Sequence, residues 1–328
     1  MGEICTLRTE PPAGSLMPAS SLVKARRLLL AAPRGCMRDL QPLVRAWRSV
    51  GVHVEHLPFD AVLPDLATRV KARDDLDAVL FVGPARRAPA TVLTAPFAMD
   101  RSNRRVPIGW LPATDAVSLR RFAATAALVH RRGGVEPGVA LFSQWHPRYL
   151  HIVDRMETLL RHHLRTFRWT SDVITREGLV DAMGSGLGLG VYVGHGRSVG
   201  WVGYHGTRRH HFNSFVGEPM GAVLSLCCRT ASRRRTGLSY SEALPLLGVA
   251  ASSFGATSDT LHIDNTRWAV AICDVLTEGV TTVGELLVRA ALRFRGVVSP
   301  YRLIGDPLAP LATPPAAFRR ANAVPVYP

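Results

Sequence analysis

Two short apolar runs in the middle of the chain constrain its fold more than any other feature. Leu189-Gly190-Val191-Tyr192-Val193-Gly194 leads into His195-Gly196, and Ala222-Val223-Leu224-Ser225-Leu226 leads into Cys227-Cys228-Arg229-Thr230-Ala231. Each run is bounded by glycine or polar residues and does not alternate with polar positions. A strand covered on both faces reads this way, and such strands belong to the parallel sheets of α/β proteins. Side chains just past the C-terminal end of such a strand lie where open α/β sheets bind ligands. Two neighbouring strands of this kind deliver a histidine and a thiol to one edge, although 33 residues separate His195 from Cys228.

The flanking sequence supports an α/β class. Arg27–Ala32, Val52–Leu57 and Asp77–Gly83 read as strands, separated by helical periodicity over Arg38–Val50 and Val62–Ala72. That β-α-β-α-β series calls for a parallel sheet with right-handed crossovers. It contains no GxGxxG, so nothing in it asks for a dinucleotide. A strand around Val106–Ala113 and a helix over Asp115–His130 follow. The Gly- and Pro-containing stretch Arg131–Gly138 marks a boundary between subdomains. Val139–Ser143 reads as a strand and Pro147 as the first turn of a helix. Further helices fit Ser171–Ala182, Thr266–Leu276 and Val283–Phe294, with a strand over Leu247–Phe254. The expected organisation is a leader over 1–21, an α/β subdomain over 22–134, a second domain over 135–312 and a Pro/Ala-rich tail over 313–328.

A histidine beside a thiol is useful chemistry. A free thiol is only slightly ionised at neutral pH, and an adjacent imidazole takes its proton or stabilises the thiolate. Gly196 lacks a Cβ, so its N–H can approach a carbonyl oxygen closely. With the N–H of the nucleophile it forms a candidate oxyanion hole. The plainer alternative is a strand-end histidine and a small, buried, inert cysteine. Between the runs, Gly200-Trp201-Val202-Gly203-Tyr204-His205-Gly206 is a Gly-and-aromatic loop that would cover the site, with Trp201 and Tyr204 shaping a substrate pocket. His205-Gly206 repeats the His-Gly dipeptide but ends no apolar run, so His195 ranks above it.

Composition narrows the classes. Apolar residues make up 47% of the 328, enough for a substantial core. No apolar run approaches the roughly 18 residues of a membrane span, and no signal-peptide h-region is visible. Five cysteines without framework spacing, two of them adjacent, suit a reducing compartment, so a cytoplasmic setting is expected. There is no CxxC pair or His-x-x-x-His box, so no metal site is expected. The net charge of +15 is mostly arginine. It admits an acidic partner such as nucleic acid, or a solvated Arg-rich surface; no basic helix or aromatic-plus-basic platform favours the former. Arg233-Arg234-Arg235 reads as a basic, solvated loop.

The order of these motifs resembles the caspase-like (clan CD) cysteine peptidases, and most closely their gingipain-like and CHAT members. Leu224–Ala231 is similar to their strand-plus-nucleophile motif, in which a small residue precedes the cysteine and a Thr-Gly-like pair follows one residue later. Matching Thr230-Ala231 to that pair puts the nucleophile at Cys228. Cys227 stays open, because a slip of one residue at the strand end moves it. Tyr301-Arg302-Leu303-Ile304-Gly305-Asp306-Pro307 resembles the strand and Gly-Asp-Pro ending of gingipain-like domains. The resemblance spans roughly 22–312. It implies a three-layer α/β/α sandwich with a mostly parallel sheet, preceded by a smaller α/β subdomain. It implies a cysteine endopeptidase in which Cys228 attacks and His195 performs acid–base chemistry, with Gly196 and Cys228 as oxyanion donors. It implies no cofactor, although many relatives need calcium or a partner for activation; a protein or peptide substrate and a regulatory protein partner are the expected partners. The loop after the Leu247–Phe254 strand lines the specificity pocket in the family, which nominates Asp259 and Asp264. Two departures stand out. Trp110 replaces an arginine usual in gingipain-like members, and Ser143-Gln144-Trp145-His146 lacks the acid by which Arg-specific gingipains hold their substrate. A catalytically inactive binding module on the same fold is the alternative reading.

Overall fold

A computed structural model describes residues 26–59, 65–84, 95–203, 205–234, 236–294, 296 and 298–327. The leader over 1–21 and Tyr204 lie outside the described residues. The first half supplies β1 (Arg27–Pro33), α1 (Met37–Ser49), β2 (His53–Phe59), α2 (Leu66–Lys71), β3 (Ala78–Pro84), β4 (Phe97–Met99) and β5 (Arg105–Ala113). A long helix, α3 (Ala116–Arg131), leads into the second half. There β6 (Glu136–Ser143), α4 (Pro147–Leu160), β7 (Arg165–Thr170), α5 (Arg176–Met183) and β8 (Leu189–Val193) are followed by a small hairpin, β9 (Gly196–Arg197) and β10 (Gly200–Trp201). Next come β11 (Met220–Leu226), α6 (Tyr240–Leu246), β12 (Ala250–Ala256), α7 (His262–Thr277), α8 (Val283–Arg293), β13 (Tyr301–Gly305), β14 (Ala312–Thr313) and α9 (Pro315–Asn322).

One sheet runs through both halves in the order β14-β6-β8-β11-β12-β13-β5-β3-β1-β2, with β4 on β5 and β7 on β6. Within each half the main strands pair parallel. β13 is antiparallel to β12 and parallel to β5, so the two halves run in opposite directions. The C-terminal strand ends of the second half therefore lie at the edge opposite those of the first half and of β13. The two halves meet over only two register pairs, Leu303↔Gly109 and Ile304↔Trp110. The seam is tight: a Cβ on Gly109 would stand 2.2 Å from the Gly305 carbonyl oxygen, and Gly305 itself has φ +87°. Only glycine fits there.

Strand side chains alternate between two cores, as pleating requires. Leu28, Leu30, Leu80, Leu141, Val191, Val193, Leu224 and Leu226 pack with α1, α3, α4, α7 and α8 on one face. Leu29, Phe81 and Trp110 pack with α2, and Phe142, Tyr192, Val223 and Cys227 with α5, α6 and α9, on the other. The result is the three-layer α/β/α arrangement with a mostly parallel sheet.

Several expectations need correction. The segment 313–328 is not a loose tail. Thr313 accepts from the Gly138 N–H (2.7 Å) and the Gly188 N–H (2.8 Å). Pro314 and Pro315 open α9, where a missing N–H costs nothing, and α9 buries Ala317, Phe318 and Ala321. Residues 240–246 form a helix despite Pro245, nucleated by a capping box between Ser239 and Glu242; β12 then begins at Ala250 rather than Leu247. α7 starts at His262 rather than Thr266.

Candidate active site

Register brings the distant motifs together. β8 and β11 are adjacent and parallel, and the last pair on their ladder is Leu226↔Val193. Two residues further on each strand are Cys228 and His195. Both continue the parity of the residues that face the α1–α3–α4 layer, because Val191, Val193, Leu224 and Leu226 all belong to that core. Cys227 has the opposite parity and packs with Tyr192, Trp201 and Tyr240.

The strand end is shaped so that one sulfur reaches out and the other does not. Cys227 is fully buried, and burial pushes its thiol far up from the ordinary range. Cys228 is half-buried. Arg229, immediately after it, has φ +60°, a left-handed turn at a non-glycine residue that takes the chain out of the strand. Backbone bonds from Arg229 N to Ser258 O (3.1 Å) and Ala231 N to Ala256 O (2.8 Å) tie this turn to the end of β12. The Cys228 sulfur accepts from the Thr260 N–H at 3.4 Å and lies 3.6 Å from the Thr260 hydroxyl. That hydroxyl accepts from Asn265 Nδ2 (3.0 Å), and Asn265 Oδ1 accepts from the buried Tyr301 hydroxyl (2.6 Å). A chain of hydrogen bonds thus runs from the core to the sulfur.

Gly196 sits directly against this turn. A Cβ there would stand 2.4 Å from the Cys228 carbonyl oxygen and 2.5 Å from the Cys227 sulfur. The close approach requires glycine. His195 is fixed at both its backbone and its ring. Its N–H donates to Gln144 Oε1 (3.1 Å), and its carbonyl accepts from the Tyr192 hydroxyl (3.0 Å) and the Val202 N–H (3.0 Å). Its Nε2 lies 3.2 Å from the Tyr149 hydroxyl, and the two rings meet edge to face at 5.4 Å. Burial raises the Tyr149 phenol above its ordinary value, partly offset by the Arg148 charge. The phenol is therefore neutral at physiological pH and can donate or accept.

Sequence reasoning missed Tyr149 and Gln144. Tyr149 continues the apolar stripe of α4 through Ile152, Val153 and Met156, so it reads as core; its hydroxyl at the first helical turn is the only hint of another role. Gln144 follows β6, at a strand end like Cys228 and His195.

The nominated pocket residues divide. The Trp201 ring is buried: it is 2% exposed, stacks on Tyr192 at 4.2 Å and donates to Ser225 Oγ (2.9 Å). The β9–β10 hairpin has turned the indole into the core. Asp259 is exposed but ion-paired with Arg229. Asp264, with its side chain 12% exposed, lies in the first turn of α7, 3.7 Å from Arg267. Trp110 is buried, stacks on Phe81 and donates to Glu242 Oε1 (3.2 Å). The same carboxylate accepts from Arg233 Nε (2.9 Å), which anchors the basic loop after Cys228. Among the described residues, no group of three or more His, Cys, Asp or Glu could hold a metal ion, and no helix is long and apolar enough to cross a membrane.

A caspase-like α/β sandwich with a histidine and a thiol at adjacent strand ends is the architecture of a cysteine peptidase, and the comparisons agree. The model of peptidase family C25 matches residues 106–312, more than half of the chain, and the chain belongs to that family. It is a cysteine-type peptidase, whose substrates are proteins or peptides. The crystal structure of the Arg-specific cysteine proteinase gingipain R (RgpB) is similar at TM-score 0.71 and 15% identity, over 88% of this chain and 79% of that one. A complex of the Porphyromonas gingivalis RgpB pro- and mature domains gives 0.69 and 15%, over 87% and 79%. A structure described only as a protease gives 0.68 and 12%, over 89% and 79%. At such identities the structures establish the fold. No curated protein matches the chain. Nothing in these comparisons supports the nucleic-acid reading.

Proposed function

We propose that the chain is an endopeptidase that works through Cys228 and His195. The Cys228 sulfur adds to the peptide carbonyl carbon as its proton passes to His195. His195 gives that proton to the departing amine nitrogen as the C–N bond breaks. Water then attacks the thioester, with His195 taking its proton, and the carboxylic acid leaves as sulfur recovers a proton. The N–H groups of Gly196 and Cys228 stabilise the oxyanion. Tyr149 holds the ring nitrogen of His195 from the α4 side, where a carboxylate often stands in such sites. One observation supports the reading: the β8–β11 ladder ends at Leu226↔Val193, two residues before Cys228 and His195 on their strands, while Cys227 is fully buried. We read the enzyme as an intracellular, regulatory or defence protease; the free thiols Cys36, Cys227, Cys228 and Cys273 support the reducing, cytoplasmic setting of that reading and do not bear on the role.

The test is covalent labelling of the full chain with a mixture of peptide acyloxymethylketones, the adduct located by mass spectrometry. Labelling at Cys228 should vanish in Cys228→Ala, fall by at least about a thousandfold in His195→Ala, and persist in Cys227→Ala. Loss in Cys227→Ala alone moves the nucleophile by one residue. Absence of labelling, together with ordinary iodoacetamide reactivity at Cys228, leaves the inactive binding module as the reading.

A further inference from the structure

The peptidase reading does not say which side chain the enzyme accepts, and the surface around Cys228 and His195 does. Three large apolar residues stay exposed on the two segments that hold the candidate pair. Trp145, 64% exposed, directly follows Gln144, whose side chain accepts from the His195 N–H. Leu261, 67% exposed, directly follows Thr260, whose N–H reaches the Cys228 sulfur. Ile263, 52% exposed, is in the first turn of α7. Tyr149 ties these segments together, since its ring lies 5.7 Å from that of His146 and 5.8 Å from that of His262. A single exposed leucine means little, but large apolar side chains gathered at one functional locus mark a place where an apolar partner docks.

The charges point the same way. The Asp259 carboxylate is paired with Arg229, and Asp264 is mostly buried against Arg267. The exposed Arg148, in the first turn of α4, puts positive charge beside Tyr149 and His262. A substrate guanidinium or ammonium would meet a cation here and would find both nominated carboxylates already neutralised. Such a group loses water without a partner.

We infer that the site accepts polypeptides with a large apolar side chain, such as Leu or Phe, at the residue whose carbonyl is attacked, held by Trp145, Leu261 and Ile263. This rests on the peptidase reading. It sets the chain apart from the Arg-specific proteinase whose fold it shares.

The experiment measures second-order inactivation of the full chain by acyloxymethylketones carrying Leu, Phe, Ala, Arg or Asp next to the reactive group, with iodoacetamide alkylation of Cys228 as a separate readout. Leu and Phe should react about tenfold faster than Ala, the scale that apolar pockets reach, and Arg and Asp more slowly than Ala. Leu261→Ser/Ile263→Ser and Trp145→Ala, both at exposed positions, should each bring the Leu-to-Ala ratio towards one. If Arg or Asp reacts fastest while Cys228 stays hyper-reactive to iodoacetamide, the apolar subsite is overturned and the peptidase reading stands. A Leu preference that survives both variants overturns these three residues as its source. A Cys228 that reacts with no probe, and with iodoacetamide no faster than free cysteine, overturns the peptidase reading and the subsite with it.

Discussion

A histidine with a polar partner stands at each of the two ends of the strands, His130 on α3 at one and His195 after β8 at the other, and the two sites behave differently. At one edge, His130 Nε2 lies 2.7 Å from Asp306 Oδ2, with side chains 5% and 0% exposed. The same carboxylate accepts from Trp47 Nε1 (3.3 Å) and, through Oδ1, from the Leu308 N–H (2.8 Å). A cavity of about 570 Å³ opens beside His130. At the other edge, His195 has a phenol for a partner instead of a carboxylate, yet it has a thiol at the next strand end. Judged by carboxylate, burial and cavity, the first site is the better candidate. Its carboxylate has spent its hydrogen-bonding capacity inside the fold, however, and no cysteine lines the cavity among the described residues. It clamps α1 and α3 to the turn after β13, next to the seam between the two halves. A cysteine peptidase needs a thiol that is not sealed in the core, and of these two edges the Cys228 edge carries one among the described residues.

Two substitutions can break this comparison. Gly196→Ala carries the larger effect on activity. Its methyl has no room against the Cys228 carbonyl oxygen and the Cys227 sulfur, so the turn must shift. Displacement of about 1 Å costs on the order of 100-fold in rate, and kcat/KM should fall by about that much. Rates within threefold of wild type would show that the Gly196–Cys228 contact is not part of the chemistry. Asp306→Ala should do the reverse. Three buried donors lose their acceptor, and stability in urea should drop by about 3 kcal/mol. Activity per folded molecule at 25 °C should stay near wild type. Lost activity with unchanged stability would reverse the assignment of roles to the two edges.

Much of the site was legible in the sequence because it depends on period and strand ends. The separation of 33 residues between His195 and Cys228 equals that between Val193 and Leu226 on the ladder, so both motifs stop at the same sheet edge. Parity also separates Cys228 from Cys227, a choice that the sequence motif left open. What stayed hidden depends on side-chain direction. Trp201 looked like a loop aromatic over the site, but its hairpin folds the ring under the sheet, where Ser225 satisfies its N–H. Tyr149 looked like core. The reversal at β13 was invisible, because direction depends on the long connection through α7 and α8 rather than on the strand's own residues. The C-terminal helix α9 was hidden by composition: its prolines stand at the N-cap and the first helical position, where a missing N–H costs nothing.

Tyr149→Phe gives the smallest effect and the sharpest test of what distinguishes the two edges. Asp306 would hold a protonated partner with a full negative charge; Tyr149 offers His195 only a neutral oxygen, since burial keeps its phenol protonated. In the imidazolium form both ring nitrogens carry protons, and Nε2 can then only donate to the Tyr149 oxygen. Removing that oxygen weakens the charged ring by about the worth of one hydrogen bond to a charged group, roughly 1.5 kcal/mol. The rate of Cys228 alkylation at neutral pH should fall by about threefold to tenfold, with stability in urea near wild type. A loss of stability with the alkylation rate unchanged would make Tyr149 a packing residue of α4. A rate and a stability both unchanged would leave the orientation of His195 to the Gln144, Tyr192 and Val202 contacts on its backbone.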